Sequence, residues 1–95
     1  MTHLSKAELV AAIAMCIQVA TPPMSTGSTE PKAIFVAVND QLGLGLNTNL
    51  SKPDLACAIV QASGSRWAPD CESRGGTVTA EGLERVLRAV LFFLS

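Results

Sequence analysis

Two short stretches of small, hydroxyl-rich residues hold most of the chemistry this chain offers. Ser25, Gly27, Ser28 and Thr29 form one, and Ser73, Gly75, Gly76 and Thr77 the other. Each runs directly into a segment with helical periodicity. The first turn of a helix presents unpaired N–H donors and the positive end of its dipole. Glycine lets a ligand approach the backbone, and Ser and Thr add donors, so each stretch is a candidate phosphate seat. Lys32, Arg74 and Arg66 would supply nearby positive charge. The competing reading is structural, because helices need Ser or Thr caps and loops need Gly. Neither stretch is a P-loop: the Lys-Ser/Thr ending and the preceding strand are both missing.

Lys6 and Lys52 follow directly on the Ser5 and Ser51 cap positions. A lysine there opposes the helix dipole at a cost of roughly a few tenths of a kcal/mol. Phosphate contact, carboxylate pairing and plain solvation all remain open for this pair. Trp67, beside Arg66, is a candidate partner anchor, with coverage of a small core as its alternative. His3 has no nucleophile beside it, and the carboxylates read as caps or helix-surface partners. No acid–base pair stands out, so a non-catalytic chain is expected. One His and three scattered Cys do not make a zinc site, and no metal or cofactor is expected.

These residues are distributed over what reads as one unit written twice. Thr2, Leu4, Ser5, Lys6, Leu9, Ala12 and Ile13 recur as Thr48, Leu50, Ser51, Lys52, Leu55, Ala58 and Ile59, with Glu8 matched by Asp54. A period near 46 residues is the mark of a structural repeat. Repeat one covers about 2–43, a linker 44–48, and repeat two about 48–95, all within one domain, 1–95. The expected fold is all-α: four helices in two tandem helix-loop-helix repeats with pseudo-two-fold symmetry.

Helix one is expected from Ser5 to Val19, with Leu4, Leu9, Ile13, Cys16 and Ile17 on one stripe. Ser5 and Glu8 have capping-box spacing. Helix two starts near Thr29 or Glu30, holds Pro31 in its first turn, buries Ile34, Phe35, Val38 and Leu42, and ends at Gly43. Helix three buries Leu55, Ile59 and Ala62 and ends at Gly64. Helix four begins after Thr77 or Thr79 and buries Leu83, Val86, Leu87, Val90, Leu91 and Leu94. Glu81 with Arg85 and Glu84 with Arg88 are i, i+4 pairs for its solvent side. Phe92 and Phe93 make its last turn apolar all round, implying burial or a partner surface.

Composition bounds the rest. The chain of 95 residues is 48% hydrophobic with a net charge of −1. That excludes a disordered tail and lacks the global basic footprint of a free-standing nucleic-acid binder. Cys16 and Cys57 lie on apolar helical stretches, where a free thiol acts as a small hydrophobe, and Cys71 has no paired spacing. The expected setting is reducing and cytoplasmic. The segment after Lys6 is apolar like a secretory signal, but its recurrence in the second unit argues for a folded helix. No membrane partner is expected.

The run Leu50-Ser51-Lys52-Pro53-Asp54-Leu55, followed by Ser73-Arg74-Gly75-Gly76-Thr77-Val78-Thr79 and a helix, resembles small DNA-binding accessory domains of restriction-endonuclease-type proteins. Its first element is also similar to the second helix of SAP modules. The resemblance implies contact with double-stranded DNA through helix ends and loops, in company with a nuclease or other protein. The expected site then joins Lys6, Lys52 and Lys32 to the two Ser/Gly/Thr loops, Arg66 and Arg74. The alternative is a protein-interaction or homodimerisation domain that uses Trp67, Leu91, Phe92 and Phe93.

Overall fold

A computed structural model describes residues 4–20, 31–64 and 78–95. Four helices follow in order: α1 (Lys6–Cys16), α2 (Lys32–Leu42), α3 (Lys52–Ala62) and α4 (Ala80–Leu94). No strand occurs among the described residues. The protein is an all-α, four-helix domain. α4 packs chiefly on α1 and α3, and α2 packs on α3.

Local chemistry sets the helix starts. Ser5 caps α1: the Glu8 N–H donates to Ser5 Oγ at 3.2 Å, and the Ser5 N–H donates to Glu8 Oε1 at 3.0 Å. That is a complete capping box. Ser51 caps α3 with one bond, Asp54 N–H to Ser51 Oγ at 3.4 Å. Aspartate is one methylene shorter than glutamate, and no return bond from its carboxylate forms in α3. Thr79 caps α4 by accepting from the Gly82 N–H at 3.0 Å. Pro31 occupies the N-cap of α2 rather than its first turn, so that helix begins at Lys32, later than its sequence suggested.

The helix ends depart from expectation in an instructive way. α1 stops at Cys16, short of Val19. Gln18 adopts a left-handed φ of 59°. Its N–H donates to Met15 O at 3.2 Å, and the Val19 N–H donates to Ala14 O at 3.0 Å. This Schellman closure normally uses glycine, which is why no stop signal was visible at Gln18. α2 closes as expected at Gly43, with φ 64°. Asn39 is buried and ties down the segment that follows: its Oδ1 accepts from the Leu46 N–H at 2.7 Å, and its carbonyl from the Leu44 N–H at 3.1 Å.

The core is aliphatic apart from Phe35. Ile13, Ile34, Leu55, Ile59, Leu83 and Val86 are fully buried with it. Val78 is buried immediately before α4 and anchors the entry to that helix. Val10, Ala14, Ala56 and Val60 are buried in addition to the expected stripes, because α1 and α3 each contact more than one helix. Four expected core positions are exposed instead: Leu4, Ala62, Leu91 and Leu94. All lie at helix ends, where coverage by neighbouring helices is incomplete: Leu4 borders the start of α4, and Leu94 the ends of α1 and α2.

The reading of Cys57 as a free thiol is corrected. Cys57 is buried on α3 and forms a disulfide, whereas Cys16 is free. The remaining cysteine of the sequence, Cys71, lies outside the described residues. The cysteines therefore no longer argue for a reducing compartment. No helix among the described residues is long and apolar enough to cross a membrane.

Candidate functional site

The two Ser/Gly/Thr loops, Ser25, Gly27, Ser28, Thr29 and Ser73, Gly75, Gly76, Thr77, lie outside the described residues, as do Arg66, Trp67 and Arg74. The three expected lysines are placed. Lys6, Lys32 and Lys52 are the first residues of α1, α2 and α3, and each is partly buried. A cation in that position works against the helix dipole. At α1 the dipole meets a favourable partner as well, because Glu8 lies in the first turn. The Glu8 carboxyl is held below the ordinary glutamate range, first by the backbone N–H of Ser5 and second by the Ser5 hydroxyl.

Among the described residues the most exposed large hydrophobic is Met15 on α1, at 77%, but three exposed ones cluster at the C-terminal end of α4. Leu91 is 49% exposed, Phe92 61% and Leu94 50%. Phe93 is partly buried and meets Phe92 edge to face, with ring centroids 5.7 Å apart and planes at 70°. The last turn is therefore divided: Phe93 leans on the protein, Leu91 and Phe92 face outward, and Leu94 is half-exposed beside the ends of α1 and α2. Helical geometry explains this. α4 turns Leu83, Val86 and Val90 inward at spacings of three and four; residues 91 and 92 fall outside that stripe, while Leu94, four residues after Val90, continues it at the helix end beside Ile17 and Leu42.

Four charged residues occupy the opposite face of the same helix. The Arg85 Nη2 donates to Glu81 Oε1 at 3.3 Å, and the Arg88 Nη2 donates to Glu84 Oε1 at 2.7 Å. These are the i, i+4 pairs expected from the sequence. Glu81 and Arg88 have highly exposed side chains, so the pairs themselves hold little folding energy.

Grooves flank α4 on both sides. One, of about 190 Å³, runs between α4 and the C-terminal end of α3, and is lined by Val60, Ser63, Arg85, Arg88, Ala89 and Phe92. Another, of about 400 Å³, lies where the start of α1 meets the start of α4, and is lined by Leu4, Leu9, Ala80, Glu81 and Glu84. The first is apolar with a basic rim and the second apolar with an acidic rim. Neither groove was foreseen, since each joins residues distant in sequence. Among the described residues no three His, Cys, Asp or Glu side chains gather as a metal-ligand set.

No family model, curated protein or solved structure matches this chain.

Proposed function

We propose that this protein is a non-catalytic helical module that docks onto a protein partner through the outer face of α4. The supporting observation is the concentration of half-exposed Leu91, Phe92 and Leu94 in one turn of an otherwise well-buried helix. A chain of 95 residues gains by burying such side chains, at roughly 25 cal/mol per Å² of apolar surface. Leaving three together in water is the signature of a contact surface.

Site-specific photocrosslinking tests the reading. A benzoylphenylalanine replacing Phe92 is irradiated in the cells that make the protein, with the same group at exposed Gln61 as the control. A protein adduct specific to position 92 is expected. Adducts equal to those at Gln61, or none, would discard the docking surface.

A second reading rests on a different observation. Three of the helices open with lysine, at Lys6, Lys32 and Lys52, where the dipole disfavours a cation. Contact with the phosphates of double-stranded DNA suits cations at those positions, with one Ser/Gly/Thr loop just before Lys32 in the chain and the other just before α4. Phosphate contacts would position the protein without reading base sequence. Anisotropy titration with a short duplex should then show binding whose log–log salt slope is about −2 to −4. Lys6→Glu combined with Lys52→Glu should abolish it, and a flat wild-type titration at low salt removes this reading.

A further inference from the structure

The two intrahelical pairs fix the order of the charges on the outer face of α4, and that order also suits a second helix. In sequence they read Glu81, Glu84, Arg85, Arg88. Reversed about the midpoint between Glu84 and Arg85, every carboxylate falls on a guanidinium. Glu81 exchanges with Arg88, and Glu84 with Arg85. An antiparallel helix carrying the same sequence is therefore the electrostatic complement of this face. We infer that α4 pairs with α4 of a second copy of this chain, antiparallel about a two-fold axis through that midpoint. The inference rests on the docking reading above and names its occupant.

The placement of the four residues supports the pairing. Glu81 and Arg88, seven apart, lie on one line of the helix opposite Leu83, Val86 and Val90, and Glu84 and Arg85 flank that line on the sides of α1 and α3. The outer pair, Glu81 and Arg88, consists of the most exposed members, at 65% and 75% for the side chains. In the pairing, each Arg88 keeps Glu84 of its own helix and gains Glu81 of the second copy. A guanidinium has five N–H donors and serves two carboxylates without competition. Because the contact is isologous, each ion pair is made twice.

The same register accounts for the apolar end. With antiparallel helices, residue 91 of one copy lies level with residue 78 of the other. Side chains on a helix lean toward its N-terminus. Leu91 and Phe92 thus approach the beginning of the second copy's α4. There the groove formed by Leu4, Leu9 and Ala80 offers about 400 Å³ of largely apolar space. Leu4, exposed on its own copy, becomes the floor that receives Leu91. One arrangement then uses the charge order, the exposed Leu91 and Phe92, and the apolar groove at the far end of the helix. A contact made by a single helix pair is small, so the expected dissociation constant is weak, on the order of 0.1 mM.

The test is a charge swap read by sedimentation velocity on the full chain, with circular dichroism confirming the fold of every variant. Wild type should dimerise with rising concentration. Glu81→Arg sets arginine against Arg88 of the second copy, and Arg88→Glu sets glutamate against Glu81; each alone should weaken self-association at least about tenfold. Mixed in equal amounts, the two variants should recover a heterodimer of wild-type strength, because both interhelical pairs are again opposite in sign. Single variants that dimerise like wild type, or a mixture that stays monomeric, would overturn the pairing. A wild type that is monomeric up to about 1 mM would also overturn it. If that monomer is nevertheless crosslinked to another protein from position 92, the docking surface stands and only its occupant is wrong.

Discussion

The two halves of α4 obey different rules. From Thr79 to Val90 the helix follows from folding alone: a side-chain cap, a buried stripe of Leu83, Val86 and Val90, and charged pairs outside. In the last turn the pattern breaks, and Leu91, Phe92 and Leu94 stand in water although the chain has little apolar surface to spare. Propensity and core packing explain the first half completely. They leave Leu91 and Phe92 uncovered in the second, and that difference is what motivates the proposed docking surface at the helix end.

The largest effects should separate the halves most clearly. Leu83→Ala removes a fully buried side chain and should cost about 2–5 kcal/mol in a denaturant titration. Leu91→Ala, half-exposed, should cost under about 1 kcal/mol. Equal losses would mean that the end of α4 belongs to the core and the comparison fails. Phe92→Asp is sharper still: its melting temperature should match wild type while the position 92 contact is lost.

A smaller contrast concerns the caps of α1 and α3. Ser5→Ala opens a two-bond capping box and should destabilise by about 1 kcal/mol. Ser51→Ala loses one bond of 3.4 Å, so chemical denaturation should report a smaller change. The reverse order would show that the second bond of the capping box at Ser5 contributes nothing measurable.

Acid titration gives the smallest signal. The folded-state pKa of Glu8 lies below its unfolded value, held there by the Ser5 N–H and hydroxyl. Its contribution to stability is therefore complete above the ordinary glutamate pKa and lost as pH falls through the depressed value. Glu8→Gln should lower stability slightly at neutral pH, leave the acid end unchanged and so flatten that part of the stability–pH curve, as followed by thermal melts across the acid limb. An unchanged acid limb in the variant would remove Glu8 as the cause.

Much of the fold was legible because helix signals are local. The serine caps at Ser5 and Ser51, the glycine stop at Gly43 and the stripes through Ile13, Phe35, Ile59 and Val86 can be read within a few residues of sequence. What was missed depends on distant neighbours. Periodicity says which way Leu4, Ala62, Leu91 and Leu94 point, yet only the reach of adjacent helices decides that they stay exposed. Gln18 ends α1 in a conformation its residue type does not advertise, and Asn39 fastens Leu44 and Leu46 through bonds no motif announces. The disulfide at Cys57 was hidden for the same reason, since cysteine spacing does not reveal proximity. The α4 surface was half visible: its apolar last turn stood out, and its charges read as ordinary intrahelical pairs. Their reversed complementarity becomes meaningful only once all four are known to share the outward face.

The most direct check is a series of backbone amide NMR spectra of the wild-type chain at increasing concentration. The account predicts progressive shifts confined to the face carrying Glu81, Glu84, Arg85, Arg88, Leu91 and Phe92 and to Leu4, with the amides of Ile34 and Val38 constant. Spectra that superimpose throughout the series, or shifts centred on α2, would contradict it.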